Sequence, residues 1–241
     1  MEHSSGPAES QKNVERAQRI LDVAAELLLR WGYKRVTIDD IARHAGVGKG
    51  TIYLHWKTRD SLFETVILRE MIIIYRAVVQ RMYADPLEIL PHRMLPSSLL
   101  ITEERPIIKA LLTRDIETVG KLIQNNAHGE IRNREELTIK EYFSLLYQHG
   151  LTAVDSNQPE HLYALEMLTT SFTMLDPYIV SGQQLSIEQK AGVLARIIRQ
   201  TFEPPAPPAL TVVQELAPAI IQLFEQLCLD FEQKIRAQTD L

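Results

Sequence analysis

The chain has 241 residues, of which 45% are hydrophobic and 24% charged, an ordinary composition for a soluble globular protein of one or two domains. No uncharged apolar run is long enough to cross a membrane, and residues 1–10 lack the basic start and apolar middle of a signal peptide. We therefore expect a cytoplasmic protein with a disordered tail at residues 1–10. The single cysteine, Cys228, excludes an internal disulfide, and a small buried helical residue is a commoner role for it than a redox sensor.

The formal net charge of -5 is divided unevenly along the chain. Residues 11–60 hold 10 Lys or Arg and 6 Asp or Glu, which gives +4, whereas residues 61–241 hold 16 and 23, which gives -7. Glu2 and Glu9 supply the remaining -2. Because salt screens the acidic part beyond about 10 Å, the local surplus lets residues 11–60 attract phosphate groups.

An apolar stripe predicts a first helix from Val14 to Trp31. Its hydrophobic side chains repeat at spacings of three and four residues, and Gly32 ends it. We expect this helix to be scaffold that packs across two shorter helices further along the chain. The loop that follows, Tyr33-Lys34-Arg35, is a candidate for phosphate contacts.

A short second helix is predicted after Thr37. Thr37 and Asp40 have the spacing of a capping box, in which each residue satisfies a free N–H group at the start of a helix. Gly46 ends this helix, because glycine adopts the left-handed backbone angles that a helix end requires. A tight turn through Gly46 then leads into the third helix.

The third helix is predicted from about Gly48 to Trp56. Ile52 and Trp56 lie one turn apart on its apolar face. Two short helices joined by a tight glycine turn form a helix-turn-helix unit, whose second helix enters the major groove of DNA. The side chains that carry hydrogen-bond donors lie away from the apolar face and are Lys49, Thr51, Tyr53 and His55.

The segment GVGKGTIYLHWKTRDSLF, residues 46–63, resembles the recognition segment of the tetracycline-repressor-like (TetR) family of bacterial transcription regulators. An arbitrary glycine-turned helix pair would not require Tyr53, His55, Trp56 and Lys57 together. The resemblance covers about a quarter of the chain. It implies that Tyr53, His55 and Lys57 lie near the DNA backbone, where Thr37 at a helix N-terminus can also meet a phosphate. The alternative, that these residues only cap and solubilise a small helical core, is disfavoured by the basic surplus.

Base reading is predicted to be sparse, because Gly48 and Gly50 have no side chains. Lys49 can donate to guanine O6 or N7, and the methyl group of Thr51 can meet a thymine methyl. Gly50 costs about 1 kcal/mol of helix stability relative to alanine, and we expect close approach of the helix to DNA as its compensation. DNA shape should therefore contribute to specificity.

A long fourth helix is predicted after Lys57, with Thr58 as its N-cap and Asp60 in its first turn, and with an end near Tyr83. Its middle is apolar most of the way round, as in a helix buried on several sides. We expect it to leave a DNA-binding domain at residues 11–60 and to enter a second domain at residues 61–241. If residues 72–75 form part of a pocket wall, the helix would couple ligand and DNA by tilting as a unit.

The remaining pattern also predicts helices, and strand signals are absent. Three prolines make the segment after residue 85 short, irregular or kinked. A proline-rich spacer at residues 203–210 precedes a last amphipathic helix. The predicted helices are Pro106–Thr113, a turn-rich piece at 114–126, Asn133–His149 after an interruption at Gly129, Pro159–Ser181, Ser186–Phe202 and Thr211–Ala237.

The predicted fold class is all-α, with an N-terminal three-helix helix-turn-helix domain and a C-terminal helical domain. The resemblance implies that the C-terminal domain senses a ligand and dimerises, with a pocket among helices four to seven and a four-helix bundle from the helices at 159–181 and 186–202 of two chains. Each residue named for these roles has an alternative as ordinary core or surface. The pocket candidates are Tyr75, Arg93, His128, Tyr142, Tyr147 and Phe172, and the dimer candidates are Leu162, Leu165, Leu168, Phe172, Val193, Leu194, Ile197 and Ile198.

Three functions are compatible with this pattern: a ligand-responsive DNA-binding regulator, usually a repressor in this family, a helical adaptor that binds protein, and an enzyme. Metal-ligand spacings, HExxH and GxSxG are absent, which disfavours an enzyme and gives no reason to expect a cofactor or metal. Four donors on one small surface favour the regulator over the adaptor. We expect a homodimer that binds double-stranded operator DNA and an unidentified small-molecule effector.

Overall fold

The computed structural model describes residues 7–113, 115, 117–123, 126–175 and 185–238, and all regular structure in these ranges is helical. The all-α fold class is therefore confirmed. Two short 3₁₀ turns, Pro86–Ile89 and Gly120–Ile123, accompany the longer helices. These are α1 (Pro7–Trp31), α2 (Ile38–Ala45), α3 (Lys49–His55), α4 (Arg59–Ala84), α5 (Pro91–Glu103), α6 (Pro106–Leu112), α7 (Asn126–Gln148), α8 (Pro159–Met174), α9 (Ile187–Thr201) and α10 (Leu210–Gln238).

The helix starts follow the predicted capping residues. The side chains of Thr37, Thr58 and Ser186 each accept a hydrogen bond from the backbone N–H three residues on. Each of these residues also donates its own backbone N–H to the side chain of that later residue, so each forms a capping box. Gly46 ends α2 with φ 65°, in the left-handed region where glycine costs least. Local sequence therefore sets these boundaries.

The helices differ from the prediction at four places. Residues 7–10 are helical in α1 rather than part of a disordered tail, and residues 1–6 lie outside the described ranges. α7 begins at Asn126 and passes through Gly129, because one glycine costs a helix only about 1 kcal/mol and packing elsewhere offsets it. Pro96 lies inside α5 without ending it. α8 ends at Met174, and the predicted extension to Ser181 falls largely on undescribed residues.

Two hydrophobic cores meet along α4. The first core joins α1, α2 and α3 to Leu62 and Phe63 of α4, and it also takes in Ile107 and Ile108 of α6. The second core includes the later residues of α4 together with α5, α7, α9 and α10. The predicted boundary at residue 60 therefore does not separate two independent cores.

α10 lies along α4 and α9 lies along α5, whereas α8 has few contacts with the rest of the chain. By length and composition α10 is the one helix in the described ranges that meets the requirements for crossing a membrane, but its apolar face is buried in the second core. Cys228 lies on that face, and burial raises the pKa of its thiol to about 11. The thiol is thus protonated at neutral pH, which favours a structural role over redox sensing.

The segment at residues 117–123 contacts the turn between α1 and α2. The N–H of Tyr33 donates to the carbonyl of Thr118 at 2.9 Å. A Cβ atom at Gly32, where φ is 74°, would lie 2.2 Å from the carbonyl oxygen of Glu117. Only glycine fits there, and this close contact joins the helix-turn-helix unit to the second domain independently of α4.

Candidate nucleic-acid interface

α3 presents two distinct faces. Ile52, His55 and Trp56 are buried against α1, α2 and α4, whereas Gly50, Tyr53 and Leu54 are exposed. Successive helical residues are about 100° apart, so Gly50 and Leu54 lie at the centre of the outward face. Tyr53 and Thr51 flank that centre on opposite sides. The outward face is the surface that a helix-turn-helix unit offers to a major groove.

Lys49 lies at the start of α3 on the side facing α2. Its Nζ atom is 3.0 Å from Oδ2 of Asp39, and both side chains are largely exposed. The hydrogen bond to Asp39 and the charge of that carboxylate raise the pKa of Lys49. Lys49 is therefore a cation already held by a carboxylate, and its predicted base contact stays a prediction.

Two predicted backbone donors lie on the accessible surface. Tyr53 is 46% exposed, and Lys57 is exposed just after α3. Lys34 and Arg35 are exposed in the loop before α2, as a phosphate contact requires. Thr51, predicted to meet a thymine methyl, is half-buried.

Tyr33 is buried instead of facing DNA, so its predicted phosphate contact is wrong. Its hydroxyl donates to the carboxylate of Asp60, and the guanidinium of Arg59 lies 4.1 Å from the centre of its ring. Arg59 also donates to the carbonyls of Tyr33 and Val36 at 3.2 and 3.0 Å. These contacts attach the first turn of α4 to the loop before α2.

Thr37 directs its hydrogen bonds toward its own helix. Its hydroxyl donates to Oδ2 of Asp40 at 2.6 Å and accepts from the Asp40 N–H at 3.2 Å. The bond from the hydroxyl, and then the bond that the Thr37 N–H donates to the same oxygen at 3.2 Å, lower the pKa of the Asp40 carboxyl, with a smaller contribution from Arg43. Two carboxylates, Asp39 and Asp40, occupy the first turn of α2 and already interact favourably with the positive N-terminal end of the helix dipole. The predicted phosphate contact of Thr37 stays a prediction, and this local charge does not favour it.

His55 is buried, with 7% of its surface exposed, and does not reach the outward face of α3. Its ring lies 5.4 Å from that of Trp56, and its Nδ1 atom has no hydrogen-bond partner among the described residues. The predicted contact of His55 with DNA stays a prediction, and this burial does not favour it. Helical spacing brings residue 55 to the inner side of α3, next to the buried Ile52 and Trp56.

The predicted pocket residues are not brought together. Tyr75 and Tyr142 both pack near Phe224, at ring distances of 5.9 and 5.6 Å. The Tyr142 hydroxyl, however, donates a hydrogen bond to the carbonyl of Ile89 at 2.7 Å. The other candidates lie elsewhere: Arg93 pairs with Asp85 and Glu88, Tyr147 is exposed, Phe172 packs on the second core, and the side chain of His128 lies outside the described part of the chain.

The predicted dimer residues are also divided. Leu165, Leu194 and Ile198 are buried in the chain's own second core, so their assignment to a partner surface is wrong. Leu162, Leu168, Phe172, Val193 and Ile197 are half-buried. α8 instead exposes Tyr163 and Met167, one turn apart, at 64% and 54%. α8 is apolar around most of its surface, so the sequence pattern did not show which stripe faces the chain's own core.

Comparison with known proteins finds a match over the helix-turn-helix unit. Residues 20–66 match the family model of bacterial regulatory proteins, tetR family. These residues carry a TetR-family helix-turn-helix segment. The chain is 29% identical over 143 residues to the HTH-type transcriptional regulator AcrR of Shigella flexneri, a match that covers 54% of the chain and 65% of AcrR.

A second relative is the HTH-type transcriptional repressor BepR of Brucella suis biovar 1. The two are 28% identical over 113 residues, which covers 45% of this chain and 54% of BepR. The chain therefore spans less than two thirds of the length of either relative. Both matches show which type of protein the chain resembles. They do not show which molecules the chain binds.

The fold is also similar to the crystal structure of a protein from Shewanella sp. PV-4 assigned to the tetR family of transcription regulators. The TM-score is 0.52 at 18% identity, and the match covers 78% of this chain and 97% of that one. This likeness shows the fold alone. It supports the helical architecture of both domains.

The burial of His55 predicts that acid destabilises the helix-turn-helix unit. Burial, and secondarily the charge of Arg16, lowers the pKa of His55 below its ordinary 6.5. Below about pH 6.5 the unfolded chain therefore binds a proton before the folded chain does, and stability falls as the pH approaches the folded-state pKa. We expect the Tm of the wild type to drop more than that of His55→Gln between about pH 7.5 and about pH 5.5.

Arg16→Gln supplies the matched variant, because it removes the second cause of the shift and leaves the first. Its acid-induced drop in Tm should lie between those of the wild type and His55→Gln. The same drop in all three proteins would contradict the assignment of the effect to His55.

Proposed function

We propose that the chain is a cytoplasmic, sequence-specific, DNA-binding transcriptional regulator of the TetR family that acts as a homodimer and is released from DNA by a small molecule. The observation that carries the proposal is the outward face of α3, with Tyr53 and Lys57 exposed beside it, within the segment that matches the family model. A repressor is the favoured kind of regulator, since BepR is named as one. We assign the chain no catalytic role.

Charge supports DNA as the partner. Lys34, Arg35 and Lys57 are exposed on the helix-turn-helix unit, whose residues 11–60 carry +4 in a chain of net charge -5. Such a surplus favours phosphate contacts, which position the protein without reading sequence. Asp39 offsets part of it, so the cations of this surface outnumber its carboxylates only modestly.

The first test measures the salt dependence of DNA binding. Lys57→Ala should lower affinity for operator and random DNA alike and make the plot of log affinity against log salt shallower by about one unit, because one phosphate contact is lost. Lys140→Ala on α7, also an exposed lysine, is the matched control and should change neither quantity. An unchanged slope for Lys57→Ala would remove Lys57 from the interface.

A chain that binds no DNA at low salt would instead support the adaptor.

Lys49→Ala addresses base reading in the same assay. Loss of preference at particular base pairs would identify a base contact, whereas equal weakening on all sequences would identify a phosphate contact.

A homodimer is supported by the small reach of α3 and by the exposed stripe on α8. A seven-residue helix contacts few base pairs, and a symmetric dimer can present two such helices about 34–36 Å apart to successive major grooves. Tyr163 and Met167 of α8 form an exposed apolar stripe with no cover from the described residues. A two-fold axis would bring this stripe against itself.

The second test introduces charge into that stripe. Met167→Glu should place two carboxylates at the dimer axis and shift the protein to monomer at micromolar concentration, measured by sedimentation velocity. Leu137→Glu on α7, also at a half-exposed apolar residue, should remain dimeric. A wild-type monomer under these conditions, or a dimer unaffected by Met167→Glu, would exclude α8 as the interface.

Effector release is supported by a polar pair packed among aromatic rings beside α4. The Tyr75 hydroxyl donates to the carboxylate of Glu135 on α7, and its ring stacks 5.9 Å from Phe224 of α10. Burial raises the pKa of both Tyr75 and Glu135. Convergent polar groups on an aromatic surface are typical of small-molecule sites. An open depression of about 220 Å³ also lies between His92 and Arg196, but none of its lining residues belongs to α4. We place the effector at the Tyr75–Glu135 pair because Tyr75 lies on α4.

The third test is a pair of titrations with any molecule that a screen shows to dissociate the operator complex. If the molecule weakens operator binding by about 5- to 150-fold, operator must weaken its binding by the same factor. Tyr75→Phe should reduce the affinity of the molecule for the free protein. Equal affinity for the free protein and for the operator complex would contradict release through a shared conformational change.

A further inference from the structure

The outward face of α3 has an apolar centre that the proposed DNA contacts leave unexplained. Leu54 is 68% exposed, more than any other large hydrophobic side chain in the described ranges. Gly50 lies one helical turn earlier on the same face. Together they form a shallow notch whose C-terminal wall is the side chain of Leu54.

Nothing in the described part of the chain requires glycine at position 50. A Cβ atom built on it would meet no atom within 4 Å, and its φ angle is not in the region that favours glycine. Alanine would therefore fit, and it has the higher helix propensity. Gly50 thus leaves open space on the outward face of α3 that the packing of the described residues does not require.

The polar groups around the notch are committed elsewhere or lie at its margin. Lys49 is held by Asp39, and Thr51 is half-buried. Tyr53 lies to one side of the line that joins Gly50 and Leu54. The centre of the face thus offers methyl and methylene groups where a base-reading helix commonly offers hydrogen-bond donors.

In the major groove, an apolar surface can recognise one group in particular. Thymine carries a C5-methyl group there, whereas the edges of the other bases present donors and acceptors. The exposed cations Lys57, Lys34 and Arg35 give the helix-turn-helix unit positive charge, which suits nucleic acid better than an apolar protein surface.

We propose that the Gly50–Leu54 face of α3 reads thymine through its C5-methyl group, at one A·T pair in each half-site. This inference rests on the DNA-binding function proposed above. Gly50 lets the helix approach the groove closely, and the isobutyl group of Leu54 covers the thymine methyl. Leu54 is then a specificity-determining residue that reads a base by apolar contact.

The experiment removes single methyl groups from the DNA. An operator is selected from a random pool with the wild-type protein, and each thymine is replaced in turn by deoxyuridine, symmetrically in both half-sites. Base pairing is unchanged, and only the methyl group is lost. At one position the wild type should lose about tenfold in affinity, since two buried methyl groups are removed together.

Leu54→Ala should bind the unmodified operator more weakly and lose nothing further when that thymine becomes deoxyuridine. Gly50→Ala should also lower affinity for the thymine operator, although it stabilises the helix. Leu137→Ala, another exposed leucine, is the matched control and should keep the full sensitivity to deoxyuridine. Thermal unfolding of each variant verifies that the fold is retained.

The outcomes separate the two proposals. If the wild type selects no sequence and binds all DNA equally or not at all, the proposed function fails and the methyl contact fails with it. If the wild type selects an operator but tolerates deoxyuridine at every position, only the methyl contact is overturned. It is also overturned if Leu54→Ala keeps the wild-type sensitivity, or if Leu54→Ala leaves operator affinity unchanged.

Discussion

Burial of α4 in two hydrophobic cores is the constraint on which the other helices depend. Leu62 and Phe63 complete the core beneath the helix-turn-helix unit, and Val78 and Met82 lie in the core of the second domain. The indole N–H of Trp56 donates to Thr65 at 3.0 Å, which joins the end of α3 to the same helix. Closely packed interiors resist gradual deformation, so α4 cannot shift in one core without disturbing the other. α4 thereby links the outward face of α3 to the core of the second domain.

Two further elements restrain α4. The segment at residues 117–123 touches Tyr33, whose hydroxyl holds Asp60 in the first turn of the helix. α10 lies along α4, and its Lys234 is 3.4 Å from the buried carboxylate of Glu64. A buried carboxylate is costly without a cation beside it, so this pair makes the end of α10 part of the support for α4. The last helix is thus an integral part of the core rather than an appendage after the proline-rich spacer.

Much of the fold follows from local signals. Capping boxes at Thr37, Thr58 and Ser186 and the left-handed glycine at position 46 mark helix ends, because free N–H and C=O groups there must be satisfied within a few residues. Gly129 shows where local signals fail, since a single glycine weakens a helix less than packing strengthens it. The sequence predicted that α4 runs from one domain into the other, but it did not predict which helix covers each side of α4, since a helix that is apolar all round does not reveal its neighbours.

Spacing and residue types within about 20 positions were enough to predict the all-α class, the helix-turn-helix unit and its resemblance to the TetR family. Which side chains of that unit are accessible depends on how the helices pack. His55 and Tyr33 are buried in the packed helices, Lys49 is held by Asp39, and Leu54 is the most exposed large hydrophobic residue in the described part of the chain. Leu54 occupies a position that carries no motif, so only its exposure distinguishes it. Which stripe of α8 faces outward could not be predicted for the same reason. Exposure depends on neighbours that are distant in sequence and close in space.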